Sequence, residues 1–248
     1  MASRLDILAR SLHRENEVLE TLEKINDSGI DFCLLGGYAV SARGRHRYSV
    51  DCDIIIKDLG EIEDLLKENG YTLKKQSDIY RDVYGGKSCK FVKGKRANQV
   101  SVDLLVRSLC IRQTGSSWSF AYLRKHSSPH NVTGIRKVVP NVPVLEKEML
   151  LATKIHPARP QDIGDILILS DRADWKIVTK HTIRPPLQKV REQVTRILSR
   201  LKDRGIHNRV RSDFALKQSL DTQAEKATKG LTIVLNSFPF RPTSRRNP

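Results

Sequence analysis

Three aspartates and a glycine pair are the residues of this chain whose types and spacing could do chemistry. Leu34 to Lys57 reads LLGGYAVSARGRHRYSVDCDIIIK: Gly36-Gly37 leaves an apolar run, a basic segment follows, and Asp51 and Asp53 alternate with apolar residues. Carboxylates at i and i+2 fall on one face of a strand, with Cys52 and Ile54 on the other. Paired charges there are poor core material unless a cation neutralises them. Mg²⁺ or Mn²⁺ suits them, because hard divalent ions take carboxylate oxygens together with substrate phosphates. Gly36-Gly37 suits the phosphates: glycine lets backbone approach closely, and a short helix over YAVSAR aims its free N–H groups back at an anion. Alone, the pair would be an ordinary strand-to-helix turn. A third acid, Asp103, stands in the alternating stretch QVSVDLLVRSL, residues 99–109, where an unpaired carboxylate is costly. If its strand neighbours the one bearing Asp51 and Asp53, the three acids surround one site for in-line phosphoryl transfer, with Asp103 near the incoming hydroxyl.

The elements that must position these residues follow from periodicity. Residues 4–27 carry Leu8, Leu12, Leu19, Leu22 and Ile25 near helical spacing, predicting a helix packed on a sheet, and DFCLL at 31–35 reads as a buried strand. Asp58 to Asn69 predicts a helix capped by Asp58 and closed by Gly70. YTLKK, YRDVYGG, KSCKFVKG and QVSVDLLV predict a meander whose last strand delivers Asp103. GGKS at 85–88 is a hairpin turn and not a P-loop, since Arg81 stands where that motif needs glycine. Residues 107–142 are poorly periodic and read as a surface excursion rather than a lid. Glu146 starts a helix interrupted at Pro157 and Pro160, and a second runs from Gln161 to Leu169. Farther on, Leu187, Val190, Val194, Ile197 and Leu201 form one helical stripe and Lys189, Arg196 and Arg200 another. A last helix is expected from Ser212, capped by that serine, before a disordered basic tail, RPTSRRNP.

With 39% hydrophobic and 29% charged residues the composition is that of a soluble globular protein. A charged N-terminus and no apolar run of membrane-spanning length predict neither signal peptide nor membrane partner, and hence a cytoplasmic protein. Cys33, Cys52, Cys89 and Cys110 show no paired spacing and read as reduced, mostly buried thiols. The histidines form no zinc motif, and His156 and His207 are expected at the surface. Net charge is +16, and residues 171–248 hold 18 Lys or Arg against 7 Asp or Glu. That concentration of positive charge points to a polyanionic partner, its bland alternative being a solubilising surface.

Gly36-Gly37, Asp51, Asp53 and Asp103 resemble the signature of the DNA polymerase beta-like nucleotidyltransferase superfamily. More narrowly, GGYAV followed by HRYSVDCD resembles the AbiEii-type nucleotidyltransferases of phage-defence and toxin–antitoxin systems. A second block, EKEMLLATKIHPARPQDIGDILIL at 146–169, is similar to that family's helical segment through Lys154, Arg159, Asp162 and Asp165. The resemblance spans roughly residues 31–170. It implies transfer of a nucleoside monophosphate from a nucleoside triphosphate (NTP) to an acceptor hydroxyl, with RNA or tRNA the expected acceptor, a protein or small molecule the alternatives, and a cognate antitoxin a candidate partner.

From chemistry alone Lys154 either reaches a triphosphate or pairs with Asp162 or Asp165; the resemblance selects the phosphate and leaves Asp165 structural. Ser41 becomes a minor phosphate donor, while Arg47 and Ser49 brace the loop before the acids or touch the nucleotide. Tyr38 departs from the family's small hydroxyl residue, and its bulk is expected to narrow the phosphate turn. Lys189, Arg196 and Arg200 are candidates for binding the acceptor. The fold expected is α/β (α+β): a nucleotidyltransferase core with a mixed sheet over 1–142, a mainly helical C-terminal region over 143–235, and a tail over 236–248. The rival is a catalytically silent module of the same fold that binds RNA or a protein.

Overall fold

A computed structural model describes residues 4–78 and 82–239. Helix α1 (Arg4–Asp27) leads into β1 (Phe32–Leu35), α2 (Gly36–Arg43), β2 (Asp51–Ile56), α3 (Gly60–Glu68), β3 (Thr72–Asp78) and β4 (Lys87–Lys93). Then come β5 (Val100–Val106), β6 (Ser108–Cys110), β7 (Ser117–Ser119), α4 (Phe120–Lys125), β8 (Ser127–Thr133) and β9 (Val138–Leu145). Six helices complete the described chain: α5 (Lys147–Ile155), α6 (Pro160–Leu169), α7 (Trp175–Thr182), α8 (Leu187–Arg200), α9 (Arg204–Asp213) and α10 (Asp221–Asn236).

The fold is mixed α/β, built on a seven-stranded sheet ordered β3-β4-β5-β2-β1-β9-β8. β2 lies between β1, antiparallel to it, and β5, parallel to it. Being interior, β1 is buried throughout and β2 is buried from Ile54 to Ile56, which is why both read as apolar runs. β3, β4 and β5 form a meander, but of its four expected segments YRDVYGG is not a strand where it is described: residues 82–86 are the first turn, with Gly85 at φ +64°. The first two residues of YRDVYGG, 80 and 81, lie outside the described residues.

α1 packs on β5 and β9 through Val18, Leu19, Leu22 and Ile25, whereas Leu8 is exposed, so only the later turns cover the sheet. α3 begins after Leu59 without a side-chain cap, so Asp58 does not take the capping role expected of it. The largest departure is residues 107–142, which form a two-stranded sheet, a helix and two strands of the main sheet. Pro129, Pro140 and Pro143 hid those strands. Pro129 lies on an edge strand, where a missing N–H costs little, and the β1–β9 register is set at Leu34 and Val144, away from Pro140. The boundary expected after residue 142 falls inside β9.

The C-terminal helices pack on one another, and α5 and α6 also meet α2, so a single buried apolar cluster runs from sheet to helices. In α8, Val190, Val194, Ile197 and Leu201 are fully buried, as their spacing demands. Ser212 lies inside α9, and the final helix begins only at Asp221, after a break in which Ala215 adopts φ +49°. His156, expected at the surface, is fully buried between the Thr114 hydroxyl and the Thr182 carbonyl. Cys33, Cys52 and Cys89 are buried and Cys110 half-buried, all four free. Among the described residues no helix is long and apolar enough to cross a membrane. The tail from residue 240 lies outside the described residues.

Candidate active site

β2 and β5 pair in parallel with Asp53 opposite Asp103 and Asp51 opposite Ser101, while Leu35, the last residue of β1, is opposite Asp53 on the other side. The three acids therefore lie on two paired strands, close to the point where β1 gives way to α2. No side chain caps the start of that helix, leaving its first N–H groups free of side-chain partners. Gly36 holds φ +69°, a left-handed conformation that favours glycine, and a Cβ there would lie 2.6 Å from the carboxyl carbon of Asp53. Beside it, a Cβ on Gly37 would collide with the Ser49 hydroxyl and sit 3.3 Å from Nη2 of Arg47. The Gly-Gly pair thus places bare backbone against the acid-bearing strand.

Asp53 makes no hydrogen bond or ion pair among the described residues, and burial is the main reason its carboxyl is pushed up to about 7. Asp103 and Asp51 add to the rise, while Lys154 and Arg159 oppose it. Asp103 is also raised by burial, against the pull of Lys90. Lys90, opposite Asp103 on β4, places Nζ 3.0 Å from Oδ2 of Asp103 and 3.4 Å from Oδ1 of Asp51. Burial lowers the Lys90 ammonium, but the two carboxylates outweigh it and the net shift is upward. The Ser101 hydroxyl donates to the same Oδ1 of Asp51.

A divalent ion fits this donor set. The ligands are hard carboxylate oxygens, Asp53 makes no ion pair among the described residues, and its carboxylate fills the space that a Cβ on Gly36 would need. Among the described residues no three acidic, imidazole or thiol groups already converge as a metal cage. Asp51 and Asp103 are drawn toward Lys90 instead.

Behind the acids, charges alternate in a buried network. Lys154 lies 2.8 Å from Oδ2 of Asp165 and 3.7 Å from Oδ1 of Asp162. Arg47 donates to both oxygens of Asp165 from Nε at 2.9 Å and Nη2 at 3.2 Å, and Arg159 likewise grips Asp162 at 2.7 and 3.0 Å. Asp162 and Asp165 are fully buried, so these pairs tie α5, α6 and the segment before β2 together. The Lys154 ammonium, expected on a phosphate, is held in that network and acts on Asp53 through its field.

Ser41, expected to donate to a phosphate, instead donates to the carbonyl of Arg47 and accepts from its N–H, bracing the basic loop. Ser49 donates to the carbonyl of Asp51 and lies against Gly37. Tyr38 is buried and donates to the Ser49 carbonyl at 3.1 Å, so its ring fills core rather than narrowing the turn. Lys189 and Arg196 are exposed on α8, and the half-buried Arg200 lies 3.8 Å from Asp203. Among the described residues none of these three pairs with the acids of β2 and β5.

Lys90 is the site residue that periodicity did not single out. Cys89 and Phe91 mark the buried face of β4, which puts Lys90 on the opposite face, but only the hairpin register reveals that Asp103 is there too.

No protein-family model matches the chain, and no curated protein matches it. Among solved structures, JHP933 from Helicobacter pylori is similar over 95% of this chain and 94% of its own, at 11% identity and TM-score 0.47. MenT4, a nucleotidyltransferase toxin from Mycobacterium tuberculosis, is similar over 96% of this chain and 91% of its own, at 12% identity and TM-score 0.45. ANT(2")-Ia, solved in complex with adenylyl-2"-tobramycin, is similar over 80% of this chain and 94% of its own, at 18% identity and TM-score 0.39. Likeness at this level assigns no role to any residue of this chain.

Proposed function

We propose that this chain is a nucleotidyltransferase that moves a nucleoside monophosphate from an NTP to an acceptor hydroxyl and releases pyrophosphate. One observation carries the reading: Asp51, Asp53 and Asp103 stand on paired strands beside a glycine whose missing side chain lets the Asp53 carboxylate lie against its backbone. Asp51, Asp53 and Asp103 would hold Mg²⁺ or Mn²⁺, which supplies charge neutralisation and polarisation of the α-phosphate. The backbone N–H groups of Gly36 and Gly37 bind and orient the triphosphate oxygens. Asp103 accepts a hydrogen bond from the acceptor hydroxyl and draws its proton away as the new P–O bond forms. Lys154 and Arg159 keep the region behind Asp53 positive, favouring its ionised form.

The acceptor in this reading is RNA, most simply tRNA, docked on the basic C-terminal helices, with Lys189, Arg196 and Arg200 of α8 contacting its backbone. The core ends with β9 and the helices from Lys147 form the acceptor-facing part. By the resemblance of its two motif blocks the enzyme belongs with AbiEii-type toxins, whose activity a cognate antitoxin restrains. Incubation with each labelled NTP, total tRNA and Mg²⁺ or Mn²⁺ tests the reading. Label should enter RNA with the wild type and not with Asp53→Asn or with chelator. RNA binding without incorporation by the wild type would mark a catalytically silent RNA-binding module.

A further inference from the structure

The strand register puts a cation where the proposed chemistry needs carboxylates to be free. Lys90, Asp103 and Asp53 are direct cross-strand neighbours on β4, β5 and β2. The Lys90 ammonium reaches over the sheet to sit between Asp103 at 3.0 Å and Asp51 at 3.4 Å. Two of the three proposed ligands thereby share one cation supplied by the protein itself, and the third, Asp53, forms no ion pair among the described residues.

We propose that Lys90 is the built-in counter-ion of this site, holding Asp51 and Asp103 until a divalent ion displaces its ammonium, so that metal loading is an exchange of cations. The inference rests on the reading of Asp51, Asp53 and Asp103 as metal ligands. Lys90 is placed to leave as well as to hold. Its side chain is 36% exposed, so its ammonium can swing into water without being stranded in the interior. Lys154 differs: it is 9% exposed and wedged between two buried carboxylates, where departure would leave unpaired charge. The adjacent lysine therefore sets a threshold. A metal ion arriving alone must compete with a charge already in place, whereas one arriving with a triphosphate brings an anion that gives the displaced ammonium a new partner. Lys90 is thus a positioning residue that couples metal loading to nucleotide arrival.

The experiment is a calorimetric titration of the full chain with Mn²⁺ alone, and again with a non-hydrolysable NTP analogue, on the wild type, Lys90→Met, Lys90→Gln, Lys90→Arg and Asp53→Asn. Removing one positive charge at contact distance should tighten binding of Mn²⁺ alone about tenfold in Lys90→Met and Lys90→Gln. Lys90→Arg keeps the charge and should bind as weakly as the wild type. The analogue should tighten Mn²⁺ binding more in the wild type than in Lys90→Met, because only the wild type has an ammonium to rehouse. In thermal unfolding without metal, Lys90→Met should melt below the wild type and regain the difference on adding Mn²⁺. Unchanged or weaker Mn²⁺ binding in both neutral variants, with Asp53→Asn abolishing it, overturns the counter-ion role and leaves the metal site standing. Wild-type Mn²⁺ binding in Asp53→Asn overturns the metal site and this inference with it.

Discussion

Gly36 and Asp53 share one volume: a Cβ on Gly36 would overlap the carboxylate that faces it from β2. The glycine also holds φ +69°, so an L-residue there meets a backbone cost of about 1–2 kcal/mol in addition to the collision. Gly36→Ala should therefore lower the melting temperature and abolish nucleotide transfer by turning Asp53 aside. Thermal unfolding and the incorporation assay check this together. A variant that transfers nucleotides at the wild-type rate would show that the close approach of Gly36 and Asp53 has no part in the chemistry.

Asp103 separates chemistry from architecture. Its carboxylate is half-buried beside Lys90, and an amide keeps its shape while losing its charge. Asp103→Asn should reduce transfer by roughly 10²–10⁴-fold, in the range typical of a lost proton acceptor, with triphosphate binding retained. Circular dichroism and equilibrium binding of a labelled NTP provide the controls. Full activity in this variant would mean that another acid serves the hydroxyl.

Asp165 is the keystone of the network behind the site, receiving Arg47 on one side and Lys154 on the other. Asp165→Leu would leave two buried cations without their shared anion, a loss on the order of 3–5 kcal/mol. Chemical denaturation measures it directly. A loss below about 1 kcal/mol, the range of exposed pairs, would show that the network is solvated rather than buried.

His156 predicts a pH dependence outside the site. Nε2 donates to the Thr182 carbonyl, which can only accept, Nδ1 pairs with the Thr114 hydroxyl at 2.9 Å, and burial pushes the ring's pKa down to about 4, which keeps it neutral near pH 7. An unfolded histidine titrates near 6.5. As pH falls from about 6.5 to 4 the unfolded chain takes up a proton that the folded chain refuses, so stability is lost across that window and levels off below it. The contribution is on the order of 3 kcal/mol, with His181 adding in the same direction. Denaturation midpoints of wild type and His156→Gln between pH 4 and 8 test this, and equal slopes for the two proteins would refute it.

The acceptor surface can be tested apart from the nucleotide site. Changing Lys189, Arg196 and Arg200 to Gln should weaken RNA binding and reduce its logarithmic salt slope by about 2, while NTP affinity stays constant. The three cations lie along α8 and, among the described residues, form no ion pair with the acids of β2 and β5, so a compact nucleotide should not register their loss. An unchanged salt slope would make this helix face a solvated surface only.

The sequence by itself determined those features that depend on near neighbours along the chain. Strict alternation set Asp51 and Asp53 on one strand face, the Gly-Gly pair ended β1, and four residues of the apolar stripe, Val190, Val194, Ile197 and Leu201, are buried as expected while Leu187 is only half-buried. Each follows from the period of a strand or helix or from the freedom of glycine. Only the tertiary structure decided which strands lie side by side, and with that whether Asp103 meets Asp53 and whether Lys90 meets Asp103. It also decided which polar groups lose their water. Lys154 faces Asp165 rather than an open pocket, His156 is buried, and β8 and β9 accept prolines because of where those residues fall in the sheet. The reason is physical: a lysine or histidine has the same letter in water and in the interior. Its partner and its solvation are set by segments tens of residues away, which no local period encodes.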